Sequence, residues 1–363
     1  MKSLFCHKAK AAPPAANTLR FEFGDQSYSP VTAGVGSSGT WKKCDWFPGN
    51  VWDWTNTSTS WATAFGRGST TNPGAFADYE NNPVKVIAAG DTSSVTDFSR
   101  FFQNCYAITE VCPIDTSNAT NVMLMFSYCT NCEKFPNMDF SSATASNGIV
   151  GVYQSCLKMV TAPNITFPSG NAFSLQNFFY YCENLKVIPL YDISSCTVMA
   201  GTFENCTSLE TIPLFDTSNV TNMQYTFKNC ISLTTLPLLD TSKVTHMGEM
   251  LSCNLEGRSM HLETVPNFDY SACKNFKLFM DNNSGITEIP EMNIEANVTR
   301  CENMFRDCPN IKSGQKALYD KLSAIGTITN HADCFLNCGS DTEEGRAELA
   351  QIPVSWGGTK EEV

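Results

Sequence analysis

Cysteine and aspartate are the residues of this chain whose number and spacing could do chemistry. Seventeen cysteines occur in 363 residues, and many follow an aromatic by three positions, among them Phe102/Cys105, Phe126/Cys129, Tyr153/Cys156, Phe179/Cys182, Phe203/Cys206, Phe227/Cys230, Phe305/Cys308 and Phe335/Cys338. Cys129-Thr-Asn-Cys132 has the spacing of a metal-ligand pair. However, Cys132 stands where other copies of the pattern have Leu185, Leu209 and Leu233, and a structural zinc needs four converging ligands. The thiol column is therefore expected to pack as small buried hydrophobes.

The aspartates Asp91, Asp115, Asp139, Asp192, Asp216, Asp240 and Asp269, with Asn164 and Asn293 as variants, invite a calcium reading. An Asp before Thr-Ser also hydrogen-bonds its own backbone in a turn. Two such charges about 5 Å apart in water repel by only about 0.8 kcal/mol, so the turn is the expected role. The histidines His7, His246, His261 and His331 are scattered among tail, turn, insertion and cap. With no histidine partnered to a nucleophile, neither a triad nor an acid/base pair is specified. The expectation is a non-enzymatic protein with no metal and no cofactor.

These residues sit in a repeat of 24, clearest from Asp192 to Leu251, so each copy reads as one coil of a stacked array. Between cysteine and proline, pairs such as Leu185/Ile188, Leu209/Ile212 and Leu233/Leu236 predict a short strand ended by Pro189, Pro213 and Pro237. Strands stacked in parallel would lie about 4.8 Å apart. Val-Thr-x-Met-x-x-x-Phe has helical spacing and predicts a short helical turn. The polar residues between the strand's apolar positions vary from copy to copy, which makes Lys186, Glu210 and Thr234 candidates for a recognition face. A solvated edge is the competing reading.

Before the repeats, residues 17–23 alternate as a first strand, and Trp41, Trp46, Trp52, Trp54 and Trp61 crowd into 21 residues. The tryptophans either close the end of the core or form an aromatic platform for a sugar or partner, with Trp46, Trp52 and Trp54 as the candidates. Insertions near Phe167 and Glu256 lengthen two coils. After the repeats, 313–326 predicts a helix capped by Ser313 and closed by Gly326. A second helix is expected from Ser340-Asp341 to before Pro353, with Trp356 packed over the end.

Composition excludes some partners. With 42% hydrophobic and 17% charged residues the chain is expected to fold, and a net charge of −12 offers no basic stripe to a nucleic-acid backbone. The first ten residues are basic, but Lys8, Lys10 and Pro13-Pro14 interrupt any apolar run, so no signal peptide is predicted. No apolar stretch approaches the roughly 18 residues of a membrane helix.

Asp216-Thr-Ser-Asn-Val220-Thr-Asn-Met223 followed by Phe227-x-x-Cys230-x-x-Leu233 resembles the BspA-like class of leucine-rich repeat found in bacterial surface proteins, over roughly residues 91 to 310. The resemblance implies an α/β leucine-rich-repeat solenoid of about ten ~24-residue coils with parallel strands, an N-terminal strand and Trp-rich cap, and a C-terminal helical cap. It also implies adhesion or surface recognition and transfers no catalytic residue. The expected map is a flexible arm at 1–18, an attachment or capping region at 19–85, the solenoid at 86–312 and the C-terminal cap at 313–363. Such surface proteins carry export signals, so a bacteriophage virion component, host-binding or decorating, is the first expectation for function and location. A bacterial cell-surface adhesin or a carbohydrate-binding module is the alternative. The expected partner is a protein or glycan on a cell surface, with other virion proteins engaged through the N-terminal region, and neither nucleic acid nor membrane insertion. Homo-oligomerisation stays open.

Overall fold

The computed structural model of the protein describes residues 14–33, 36, 38–44, 49–61, 64–65, 82–144 and 148–361. These form two compact units, Met1–Met159 with Pro163–Pro168, and Val160–Ala162 with Ser169–Val363.

In the first unit, β1 (Thr18–Phe23), β2 (Thr40–Lys43), β3 (Asn50–Thr55), β4 (Val84–Ala89) and β5 (Ile108–Val111) make a five-stranded sheet in the order β2-β3-β1-β4-β5. All its pairings are antiparallel except β4 with β5. The alternation of Thr-Leu-Arg-Phe-Glu-Phe explains the central strand, for Leu19, Phe21 and Phe23 are fully buried on one face. Arg20 on the other face is also buried, directly opposite Asp53 of β3. Its Nε and Nη2 donate to the two carboxylate oxygens at 2.7 and 2.9 Å, a two-point pairing that offsets the loss of water.

The predicted α/β leucine-rich-repeat solenoid of parallel strands with a helical cap does not form. The described residues are mostly turn and sheet: one small mixed sheet, two parallel pairs of very short strands and only two α-helices. The pairs are β6 (Met138–Asp139) with β7 (Ile165–Thr166), and β8 (Phe173–Ser174) with β9 (Cys196–Val198). In the second unit Leu209–Ile212 and Leu233–Leu236, both expected as strands, are irregular. Neighbouring repeats there meet through single parallel bridges, including Val198 with Asn222, Asn222 with His246 and His246 with Asn275.

The reason lies in backbone conformation. Tyr225 and Asn229 have φ of 61° and 62°, a left-handed geometry that no right-handed helix tolerates, so the predicted turn of helix from Met223 to Phe227 is broken. Alternate N–H groups then serve two purposes. Those of Thr226 and Cys230 close turns on Met223 O and Phe227 O at 3.2 and 3.1 Å, whereas those of Met223, Tyr225, Phe227 and Asn229 donate to His246, Gly248, Met250 and Ser252 of the next repeat at 2.8–3.1 Å. Turns thereby satisfy the buried backbone that strands would otherwise satisfy. One repeat earlier, Gly201 fills the place of Tyr225 at φ 64°, and a Cβ there would lie 2.4 Å from Asn177 Oδ1.

The helices also begin and end differently from expectation. Helix α1 (Gln315–Ser323) starts after Gly314, at φ 100° and with no side-chain cap, so Ser313 does not cap it, and it stops before Gly326. Helix α2 (Glu343–Leu349) is capped by Thr342, whose hydroxyl accepts the Gly345 N–H at 3.0 Å. Trp356 stacks on His331 at 4.1 Å and meets Tyr319 edge-on at 5.4 Å. No helix among the described residues is long and apolar enough to cross a membrane.

Candidate recognition surface

Two columns face inward. Phe179, Phe203 and Phe227 stack at 5.8 and 5.7 Å with rings nearly parallel. Beside them each cysteine sends its thiol to the carbonyl of the preceding aromatic: Cys206 Sγ to Phe179 O at 3.2 Å and Cys230 Sγ to Phe203 O at 3.1 Å. The first unit repeats this with Cys129 on Phe102 O at 3.2 Å and Cys156 on Phe126 O at 3.3 Å. Burial pushes the thiols of Cys105, Cys129 and Cys206 well above their ordinary pKa and that of Cys196 up to about 12, so they stay protonated donors. Among the described residues all cysteines are free thiols, and no group of three or more His, Cys, Asp or Glu is placed to hold a metal ion. Cys132 lies in the core and donates to Lys134 O at 3.5 Å.

In the aspartate column Asp91, Asp115, Asp192, Asp216 and Asp240 are exposed and Asp139 and Asp269 half-buried, and each carboxylate is used locally. Asp192 and Asp240 accept the hydroxyls of Ser194 and Ser242 at 2.7 Å and the backbone N–H groups of the same serines at 3.1 and 3.0 Å. Those bonds, the serine hydroxyl first, hold both carboxyls below the usual range. The threonine of Asp-Thr-Ser turns inward to the next repeat: Thr217 donates to Asp240 O and Thr241 to Asp269 O, both at 2.8 Å.

Of the tryptophans, Trp46 lies outside the described residues. Trp54 is fully buried, donates to Gly36 O at 2.7 Å, and is packed by Trp61 and Phe65 with ring centres at 5.1 and 4.8 Å, so its face is not offered to solvent. Trp52 is half-buried, hydrogen-bonds Asn50 Oδ1 at 2.7 Å and has Lys43 Nζ 5.9 Å from its ring. In the second unit Lys186, Glu210 and Thr234 are all exposed, and Lys186 Nζ lies 4.0 Å from Glu210. The insertion before His261 lines an open cleft of about 490 Å³ with Ile231, Gly257, Arg258, Ser259, His261 and Asn282.

Sequence reasoning missed a third column. Leu190, Leu214 and Leu238, each directly after the proline of its repeat, are 70%, 62% and 61% exposed. The next residue of each, Tyr191, Phe215 and Leu239, is buried. The signal was present as Pro-Leu at a step of 24, hidden inside an apolar run such as Ile212-Pro-Leu-Phe215.

One family, described as Mycoplasma protein of unknown function, DUF285, matches residues 71–158, 173–256 and 234–337, more than half of the chain. The chain belongs to this family. Its matched stretches contain the thiol column except Cys338, the aspartate column and all three exposed leucines. No curated protein and no solved structure matches the chain.

Proposed function

We propose that this protein is a non-enzymatic surface-recognition or adhesion protein, with its repeats as the scaffold that displays a binding face. The observation that carries this reading is the division of labour within a repeat of the second unit. The reactive-looking residues are consumed by the fold, thiols on carbonyls and carboxylates in turns, while fixed positions between them present varied side chains to solvent. Lys186, Glu210 and Thr234 hold one such position. The resemblance of the Asp-Thr-Ser motif to BspA-like repeats of surface proteins supports the same reading.

A phage particle, in which the protein would be a host-binding or decorating component, is one setting. A bacterial cell surface is the other. A sugar platform on the tryptophans is less supported, because Trp54 is buried. The test is binding of the labelled full chain to intact bacterial cells, alongside a search for the protein in purified virions and on shaved cell surfaces. Saturable binding, weakened at least severalfold by combining Lys186→Glu, Glu210→Lys and Thr234→Arg, is expected. Non-saturable binding together with a purely cytosolic location counts against both settings.

A further inference from the structure

We propose that Leu190, Leu214 and Leu238 form a docking stripe for a cationic amphipathic helix of a partner protein, an inference that rests on the recognition reading and names its partner class. The leucines are not required by packing. In later repeats of the same unit the residue after proline is Asn267 or Glu291, so the position accepts polar side chains, and apolar ones occupy it in three successive repeats. Each leucine is forced outward because the residue after it turns into the core. Val187 and Val160, 53% and 48% exposed, add apolar surface from the same unit. A column of large apolar side chains in water, with no internal partner to explain it, marks an interaction surface.

The surroundings point to the occupant. Two residues beyond each leucine stands an exposed aspartate, Asp192, Asp216 or Asp240, and neighbouring members of this column feel one another's charge. Glu210 adds a further carboxylate, Lys186 lies 4.0 Å from Glu210, and Lys243 donates to Asn219 Oδ1 at 2.8 Å. An acidic margin opposes pairing with an identical stripe on a second copy and complements lysine or arginine. Pro189, Pro213 and Pro237 have no N–H, which weakens the edge as a template for an added strand. Neighbouring repeats meet through parallel bridges such as Val198 with Asn222 and Asn222 with His246, and backbones so paired lie about 4.8 Å apart, close to the 5.4 Å rise of one helical turn, which matches apolar residues at i, i+3/i+4 and i+7 to successive repeats.

The experiment titrates the full chain into a fluorescent synthetic peptide of leucine and lysine with leucines at helical spacing. Three comparison probes are used: a peptide of the same composition with leucines alternating, a leucine–glutamate peptide, and phosphatidylcholine vesicles. Binding of the helical cationic peptide is expected. It should fall at least tenfold in Leu190→Ser/Leu214→Ser/Leu238→Ser, whose unfolding midpoint is unchanged, and severalfold in Asp192→Asn/Asp216→Asn/Asp240→Asn, with a flatter salt dependence. Equal binding by the leucine variant, or no preference over the alternating or acidic peptide, overturns the proposal. So does sedimentation showing a wild-type dimer that the leucine variant abolishes, which assigns the stripe to a second copy. Vesicle binding lost in the same variant overturns it in favour of a lipid surface. Cell binding that survives the leucine substitutions leaves the recognition reading standing without this stripe, whereas loss of cell binding only on changing Lys186, Glu210 and Thr234 separates the two.

Discussion

Phe203 and Leu214 belong to one repeat and both recur at a step of 24, yet Phe203 is 2% exposed and Leu214 62%. The inner column is required by the fold: its rings stack, and their carbonyls take both the turn N–H and the thiol of the following repeat. The outer column is not, since Asn267 and Glu291 fill the equivalent place. Periodicity alone therefore reports where the chain repeats. Exposure decides whether a repeated residue serves packing or a partner.

A cavity in the inner column should cost the fold most. Phe203→Ala should cost about 3–5 kcal/mol, because a fully packed ring is removed between two others. The urea midpoint measures it, and a loss under about 1 kcal/mol would mean that the ring column is not the core. The thiols come next. Cys230→Ala should cost about 1–2 kcal/mol, from a small cavity and a weak bond to Phe203 O, whose other bond from Cys206 N–H survives. Cys230→Ser keeps a donor and should cost less than the alanine; the reverse order would show that volume, not donation, governs the site. In native protein these thiols should react slowly with a thiol reagent and rapidly once denaturant is added.

Much of this inner column was legible in the residue types. Cys132 in the slot of Leu185, Leu209 and Leu233 pointed to burial, and Asp-Thr-Ser pointed to turns. What misled was spacing. Met223 and Phe227 are four apart, as in a helix, but Asn229 before Cys230, like Asn205 before Cys206 and Asn104 before Cys105, carries the left-handed signal that replaces helix by turns. The same turns leave the Leu209–Ile212 segment irregular, so the predicted parallel strands and the α/β solenoid built from them did not appear. The tryptophans illustrate a different limit: Trp52 and Trp54 are two apart on one strand, and only the sheet shows which of them is enclosed.

Glu204, a charged residue within the inner turns, gives a pH signature. Burial, partly countered by Lys228 and reinforced by Glu249, raises its carboxyl to about 7. The folded state therefore holds this proton more tightly than the unfolded chain, whose glutamate titrates near about 4.3. Stability from this group is present at low pH and is lost as pH rises through that window. Glu204→Gln, the residue already found at Gln103 and Gln154, should raise stability at pH 8 by on the order of 1 kcal/mol, discounted for screening because the carboxyl is only half-buried, and give no gain at pH 4. A gain of equal size at both pH values would place the cause in packing. The aspartate column has the opposite sign: Asp192, Asp216 and Asp240 titrate lower when folded, so their contribution is present above about pH 4 and fades below it.

Substitution in the outer column should change stability least. Leu214→Ser removes an apolar side chain as large as many in the core, but that side chain is mostly in water already, so folding stability should change by no more than about 0.5 kcal/mol. Serine at this place meets the same environment that Asn267 and Glu291 meet in later repeats. A cost above about 2 kcal/mol would show that the leucine is packed in solution, as inner-column residues are, and the outer column would then be part of the fold. An unchanged midpoint combined with weaker partner binding separates the two columns by purpose, since the same kind of residue at the same period then holds the protein together on one side and serves a partner on the other.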